Sequence, residues 1–135
     1  MEHVFVDTNI VLDLLQKREG FFAEARELFT LADRKEVKLY ISALTITNTY
    51  YLLSKHYNSA DARKLLAKFK VLVEVLAIDD KIIELSLVSD FKDFEDALQF
   101  YTALENNLAI IITRNKKDFK NNILPVMSAK EYLSR

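Results

Sequence analysis

Asp7, Asp96 and Asp118 lie far apart along the 135-residue chain, yet each stands where a structural element begins or ends. Asp7 closes the apolar run "HVFV" at residues 3–6. Asp118 follows Ile112 by six residues, in the loop after "AIII". Asp96 falls in the first turn of a helix, three residues after Asp93. Ligands of open parallel sheets bind outside the carboxyl ends of the strands, so the expected topology carries these acids to one rim. Carboxylates gathered there repel one another unless a cation binds between them. Oxygen donors of this kind suit Mg²⁺ or Mn²⁺, and Mg²⁺ usually keeps several waters. Each acid also has a plainer use. Asp7 can cap the helix after "DTN", Asp93 and Asp96 can be a cap and an acidic third helical residue, and Asp118 can be a surface turn. The spacing alone leaves both readings open.

No other catalytic set competes. The chain has no cysteine, which removes disulfides, thiolate ligands and cysteine nucleophiles. His3 lies in the first strand and His56 late in a helix, a placement that offers no zinc site. There is no glycine-rich phosphate loop. Ser42 and Thr45 lack a histidine base, so a serine-type triad is not expected.

The elements that must position the acids follow from hydrophobic periodicity. After the first strand, "NIVLDLLQK" and "FFAEARELFTLADRK" read as helices separated by Gly20. "VKLYIS" reads as a second strand, followed by a helix from about Leu44 to Lys55. Asn58 or Ser59 can cap "ADARKLLAKFK". "VLVEVLAI" reads as a strand or sheet edge, and "DFEDALQFYTALENN" as an amphipathic helix. "LAIIIT" is a continuous apolar run expected to form a central parallel strand. "ILPV" is a short last strand, put near an edge by Pro125. Ser128 and Glu131 form a capping box for a final helix. Alternating helices and strands predict one α/β domain over 1–135, a parallel sheet in a three-layer α/β/α arrangement.

Composition sets limits. Half the residues are hydrophobic, 29% are charged, and the net charge is −1. No strongly basic footprint supports avid non-specific nucleic-acid binding. Arg114, Lys116, Lys117 and Lys120 form the densest basic patch, which charge alone reads as a solvated face. No apolar run is long enough to span a membrane. The start of the chain does not read as a signal peptide, and a cytoplasmic protein is expected.

Four blocks, taken in order, resemble the PIN domain, the nuclease fold of VapC-type toxins: "FVDTNIVLDLL", "ISALTITNTYYLL", "DFKDFEDALQFYTAL" and "AIIITRNKKDF". The resemblance covers essentially the whole chain. It implies that Asp7 and Asp96 hold a principal Mg²⁺ or Mn²⁺ ion, that Asp118 helps hold it or a second ion, and that Asp93 is an accessory acid. Thr8, Asn9 and Thr113 would orient carboxylates or waters, and Asn115 would support the rim. Arg114 and Lys116 would meet RNA phosphates. The implied reaction is metal-assisted hydrolysis of RNA phosphodiesters, leaving a 5′-phosphate and a 3′-hydroxyl. The implied partners are a cognate antitoxin laid over the acidic rim and, commonly, a second copy in a homodimer.

The chain departs from the family at Asn48, where Glu is usual. Asn keeps an oxygen able to coordinate or accept a hydrogen bond, but brings no charge. Direct ligation and a supporting hydrogen-bond role are both open at this position. A catalytically weak PIN protein that binds RNA or serves a structural role is therefore the alternative. A phosphatase using Asp7 as nucleophile ranks lower, because Asp13 lies too far along its helix to act as the second acid.

Overall fold

The computed structural model describes residues 1–135. Its strands are β1 (Glu2–Val6), β2 (Val37–Ser42), β3 (Glu74–Leu76), β4 (Ile110–Ile112) and β5 (Val126–Met127). They form one sheet in the order β3-β2-β1-β4-β5, and every neighbouring pair is parallel. Parallel strands need long crossovers, and the first three crossovers each contain two helices. These are α1 (Thr8–Leu15) and α2 (Phe22–Asp33), then α3 (Ala43–Leu53) and α4 (Ser59–Lys70), then α5 (Asp80–Leu87) and α6 (Phe94–Glu105). A 3-10 turn (Lys116–Phe119) joins β4 to β5, and α7 (Ala129–Leu133) follows.

The alternation of side chains along β1 sorts the layers. Val4 and Val6 face a core built with Ile10, Leu28, Phe29 and Phe69 from α1, α2 and α4. Phe5 points the other way and packs with Ile111, Phe100 and Phe119. The result is the expected three-layer sandwich. Phe5 is fully buried, and burial of such a side chain contributes about 2–3 kcal/mol.

Local signals act as the sequence leads one to expect. Asn58 accepts a hydrogen bond from the Asp61 N–H at 2.8 Å and caps α4. Ser128 and Glu131 make both bonds of the capping box. Gly20 has a φ of +85° in the turn between α1 and α2, a conformation that suits glycine. One expectation needs correcting. β4 is an interior strand, but the central place belongs to β1, which pairs with both β2 and β4. No helix is long and apolar enough to cross a membrane.

Candidate functional site

β1 delivers Asp7 to the carboxyl end of the sheet, where its N–H donates to the Ile112 carbonyl at 2.9 Å. The side chain caps α1 and is 7% exposed. Its Oδ1 accepts from the Thr8 N–H at 2.8 Å and from Gln99 Nε2 at 3.1 Å. Its Oδ2 accepts from the Thr113 hydroxyl at 2.8 Å. Burial pushes the carboxyl above its ordinary range, these three donors pull it back, and the charge of Asp118 raises it further.

Thr113 in turn accepts from Asn9 Nδ2 at 3.3 Å and from the Asn115 N–H at 3.1 Å. Asn9 Oδ1 accepts from the Arg114 N–H at 3.3 Å. The start of α1 and the loop after β4 are thus tied together around Asp7. Gln99 is the hub on the other side and is almost wholly buried. Its amide donates to Asp7, to Thr45 Oγ1 at 3.0 Å and to Thr8 Oγ1 at 3.3 Å, while its oxygen accepts from Ser42 Oγ.

Asp96 stands in the first turn of α6, three residues before Gln99 and on the same helical face. Its backbone N–H donates to Asp93 Oδ1 at 3.0 Å, so Asp93 serves as the cap. The carboxyl of Asp96 is pushed up to about 7 by burial and by the charges of Asp93, Asp7, Asp118 and Glu95. Asp96 borders two adjoining concavities. One, of about 360 Å³, holds Asp7, Asn48, Glu95 and Asn115 along its walls. The other, of about 690 Å³, holds Asp93 and Asp118. Asp7, Asp96 and Asp118 therefore gather at one end of the molecule, and none of them has a lysine or arginine in ion-pair contact.

This donor set fits a hard divalent cation. The available donor atoms are all oxygen, and no lysine or arginine is paired with Asp7, Asp96 or Asp118. No three of these acids stand close enough together to hold an ion by themselves. An ion bound here would keep part of its water shell, as Mg²⁺ commonly does.

Asn48, from α3, lines the smaller concavity, and its Nδ2 donates to Glu95 Oε1 at 3.0 Å. Two groups at this rim were missed in the sequence. Glu95 and Gln99 belong to the same helix as Asp96, one residue before it and three after. The available signal for Gln99 was a polar residue inside an otherwise apolar stretch, "ALQFYTAL".

Arg114 and Lys116 are not free cations facing the acids. Arg114 makes a two-pronged pair with Asp13, Nε to Oδ2 and Nη2 to Oδ1 at 2.9 Å each. Its guanidinium also stacks 4.0 Å from the centroid of the Phe21 ring. Lys116 Nζ lies 2.8 Å from Glu131 Oε1, and that contact holds the Glu131 carboxyl down at about 2. Asp13, set aside in the sequence as too far along its helix to act as a second acid, is the buried partner of Arg114 with 1% exposure.

A sequence-family model described as a PIN domain matches residues 3–117. Ribonuclease VapC1 of Aquifex aeolicus (strain VF5) is 30% identical over 142 residues, covering 99% of this chain and 95% of that protein. A toxin–antitoxin complex from Klebsiella pneumoniae contains a chain similar in fold, with a TM-score of 0.70, 27% identity, and coverage of 93% of this chain and 97% of that one. DNA-bound VapBC from Salmonella typhimurium gives a TM-score of 0.71 at 18% identity, covering 96% of this chain and 99% of that one.

Proposed function

The chain belongs to the PIN domain family, and from that premise we propose that it is a divalent-metal-dependent endoribonuclease of the VapC type, the toxin of a type II toxin–antitoxin pair. The observation that carries this reading is the set of unpaired acids around Asp96, whose carboxyl is pushed up to about 7 by burial and by neighbouring carboxylates. A purely structural cluster would be expected to contain its own counter-charges.

Asp7 and Asp96 would hold the principal ion, and Asp118 would hold that ion or a second one. Asp93, already engaged as a helix cap, would act as an accessory acid. When bound, Mg²⁺ or Mn²⁺ would make water a better nucleophile near neutral pH and stabilise charge on the phosphate. Thr8, Gln99 and Thr113 fix both oxygens of Asp7 by hydrogen bonds. Asp96 would hold the ion as the carboxylate, so binding would be coupled to loss of its proton. Asn115, on the wall of the smaller concavity, supports the rim.

The Klebsiella pneumoniae neighbour is a toxin–antitoxin complex, which supports a small antitoxin as partner, seated over the acidic groove. A homodimer of single-domain chains, working in the cytoplasm, completes the proposal. A second reading, a PIN protein with weak catalysis, is favoured by one observation: Asn48 brings no charge and spends its amide on Glu95.

Expression in a bacterial host and RNA cleavage in vitro test the proposal together. Growth arrest and Mn²⁺-dependent cleavage, both lost in Asp7→Asn, are the expected results. RNA left intact by soluble, folded wild-type protein with Mg²⁺ or Mn²⁺ would instead support the second reading.

A further inference from the structure

Arg114 and Lys116 are both paired with carboxylates, so lysines without such partners are the better candidates to meet a substrate. The cleft of about 690 Å³ that shares Asp96 and Asp118 with the acid rim also carries Lys92, Lys117 and Lys120. All three are exposed. None has a carboxylate within ion-pair distance. They come from two sides of the cleft. Lys92 lies in the loop before α6, and Lys117 and Lys120 lie in and just after the 3-10 turn.

The same cleft has an aromatic wall. Phe91 and Tyr101 both line it, and their rings pack edge to face with centroids 6.1 Å apart. Phe91 also contacts the rings of Phe100 and Phe119, which anchor the wall in the core. Cations beside flat apolar surface are the two elements of a single-strand nucleic-acid track: lysines follow the phosphates, and aromatic side chains accept unpaired bases. Asp90 and Asp93 also border this cleft. With Asp96 and Asp118 they set four acids against three lysines, so the lysines act as local phosphate contacts and do not make the cleft net positive.

We propose that single-stranded RNA lies along this cleft, with its phosphates on Lys92, Lys117 and Lys120 and its bases against Phe91 and Tyr101. The proposal rests on the ribonuclease reading and names the side from which the substrate reaches the acids. A strand in this cleft runs past Asp118 to Asp96, the acid common to both concavities. Near Arg114 the guanidinium is already neutralised by its pair with Asp13, which weakens its pull on a phosphate.

The test is fluorescence anisotropy with a 5′-labelled single-stranded RNA and the full-length protein. It is run in chelator so that the RNA stays intact, across 50–200 mM KCl. Lys117→Ser/Lys120→Ser is compared with Lys64→Ser/Lys68→Ser, two exposed lysines on α4. The cleft pair should weaken binding about tenfold and flatten the salt slope by about 0.7 for each lysine removed. The α4 pair should bind within about twofold of wild type. Equal losses in the two variants, unchanged affinity in the cleft variant, no binding by wild type, or lysine-dependent binding confined to duplex RNA would each overturn the proposal. Thermal melts establish that both variants remain folded. Mn²⁺-dependent cleavage of the same RNA is scored separately. Loss of binding contrast with cleavage intact removes only the track. Binding contrast without cleavage by wild type removes only the catalytic reading.

Discussion

The Asn48 amide of α3 reaches across the acid groove to Glu95 of α6, donating to Oε1 at 3.0 Å. The neutral residue at this position thus faces a carboxylate contributed by another helix. Asn48→Glu would replace a hydrogen bond by two facing acids beside Asp7 and Asp96. Without metal, the variant should lose roughly 1 kcal/mol, or about 3–5 °C in Tm. Mn²⁺ should bind it more tightly, by about tenfold, and should recover the lost stability because the ion binds the folded state. Melting curves and calorimetric titration with and without Mn²⁺ measure both effects. Unchanged stability and affinity would place Asn48 outside the influence of the metal site.

The acids also set a pH dependence. Asp96 is raised from 3.8 to about 7, so the folded protein holds this proton more tightly than the unfolded chain. Its favourable contribution is fully present below about pH 4 and is lost as the pH rises through about 7. Asp7, also raised by burial, adds to the same trend, while Glu131 and Glu2, whose pKa values are lowered, stay ionised across the upper part of that window and do not reverse it. In chelator, metal-free protein should therefore lose stability between pH 5 and pH 8, and Asp96→Asn should flatten the change. Because Asp96 is partly exposed, screening limits its share to roughly 1–2 kcal/mol. Urea denaturation at the two pH values checks this, and a slope unaffected by Asp96→Asn would assign the effect elsewhere.

Gln99 joins Asp7, Thr8, Ser42 and Thr45 in a buried network. Gln99→Leu leaves those groups with fewer partners and should cost about 2–3 kcal/mol. In an Asp7→Asn background the cost should change by about 1 kcal/mol, because residues in one network are not additive. A urea-denaturation double-mutant cycle measures this coupling. Strict additivity would show that the Gln99–Asp7 contact has no energetic weight.

Arg114 is expected to act on stability. Asp13→Asn strands its guanidinium and should cost about 2–4 kcal/mol, reduced from the fully buried case because Arg114 is partly exposed. RNA affinity should stay within about twofold as long as the variant remains folded. Urea denaturation and anisotropy binding separate the two readouts. A large gain in affinity in the folded variant would show that the pair had been holding Arg114 back from the substrate.

The fold was legible wherever a local rule decides an element. The apolar runs ending at Asp7 and before Thr113, the cap at Asn58 and the capping box at Ser128 all depend on near neighbours. The placement of the acids was legible through one general property of parallel sheets, the functional rim at strand ends. What escaped were pairings across the chain. Asp13 and Arg114 are separated by 101 residues, and no local pattern marks them as partners. Glu95 looks like an ordinary exposed residue in a first helical turn until Asn48 arrives from α3. The expected central place of β4 failed for a related reason. An apolar run shows that a strand is buried, but only the topology shows that β1 occupies the middle.

If Asp7, Asp96 and Asp118 act together on RNA with a divalent ion, cleavage must depend on both the ion and the carboxylate of Asp7. The most direct measurement is the single-turnover cleavage rate of a 5′-labelled RNA panel with Mn²⁺, for wild type and for Asp7→Asn. Cleavage should stop in chelator, return with Mn²⁺, and fall by at least about 100-fold in Asp7→Asn. Metal-independent cleavage, or equal rates in the two proteins, would contradict it.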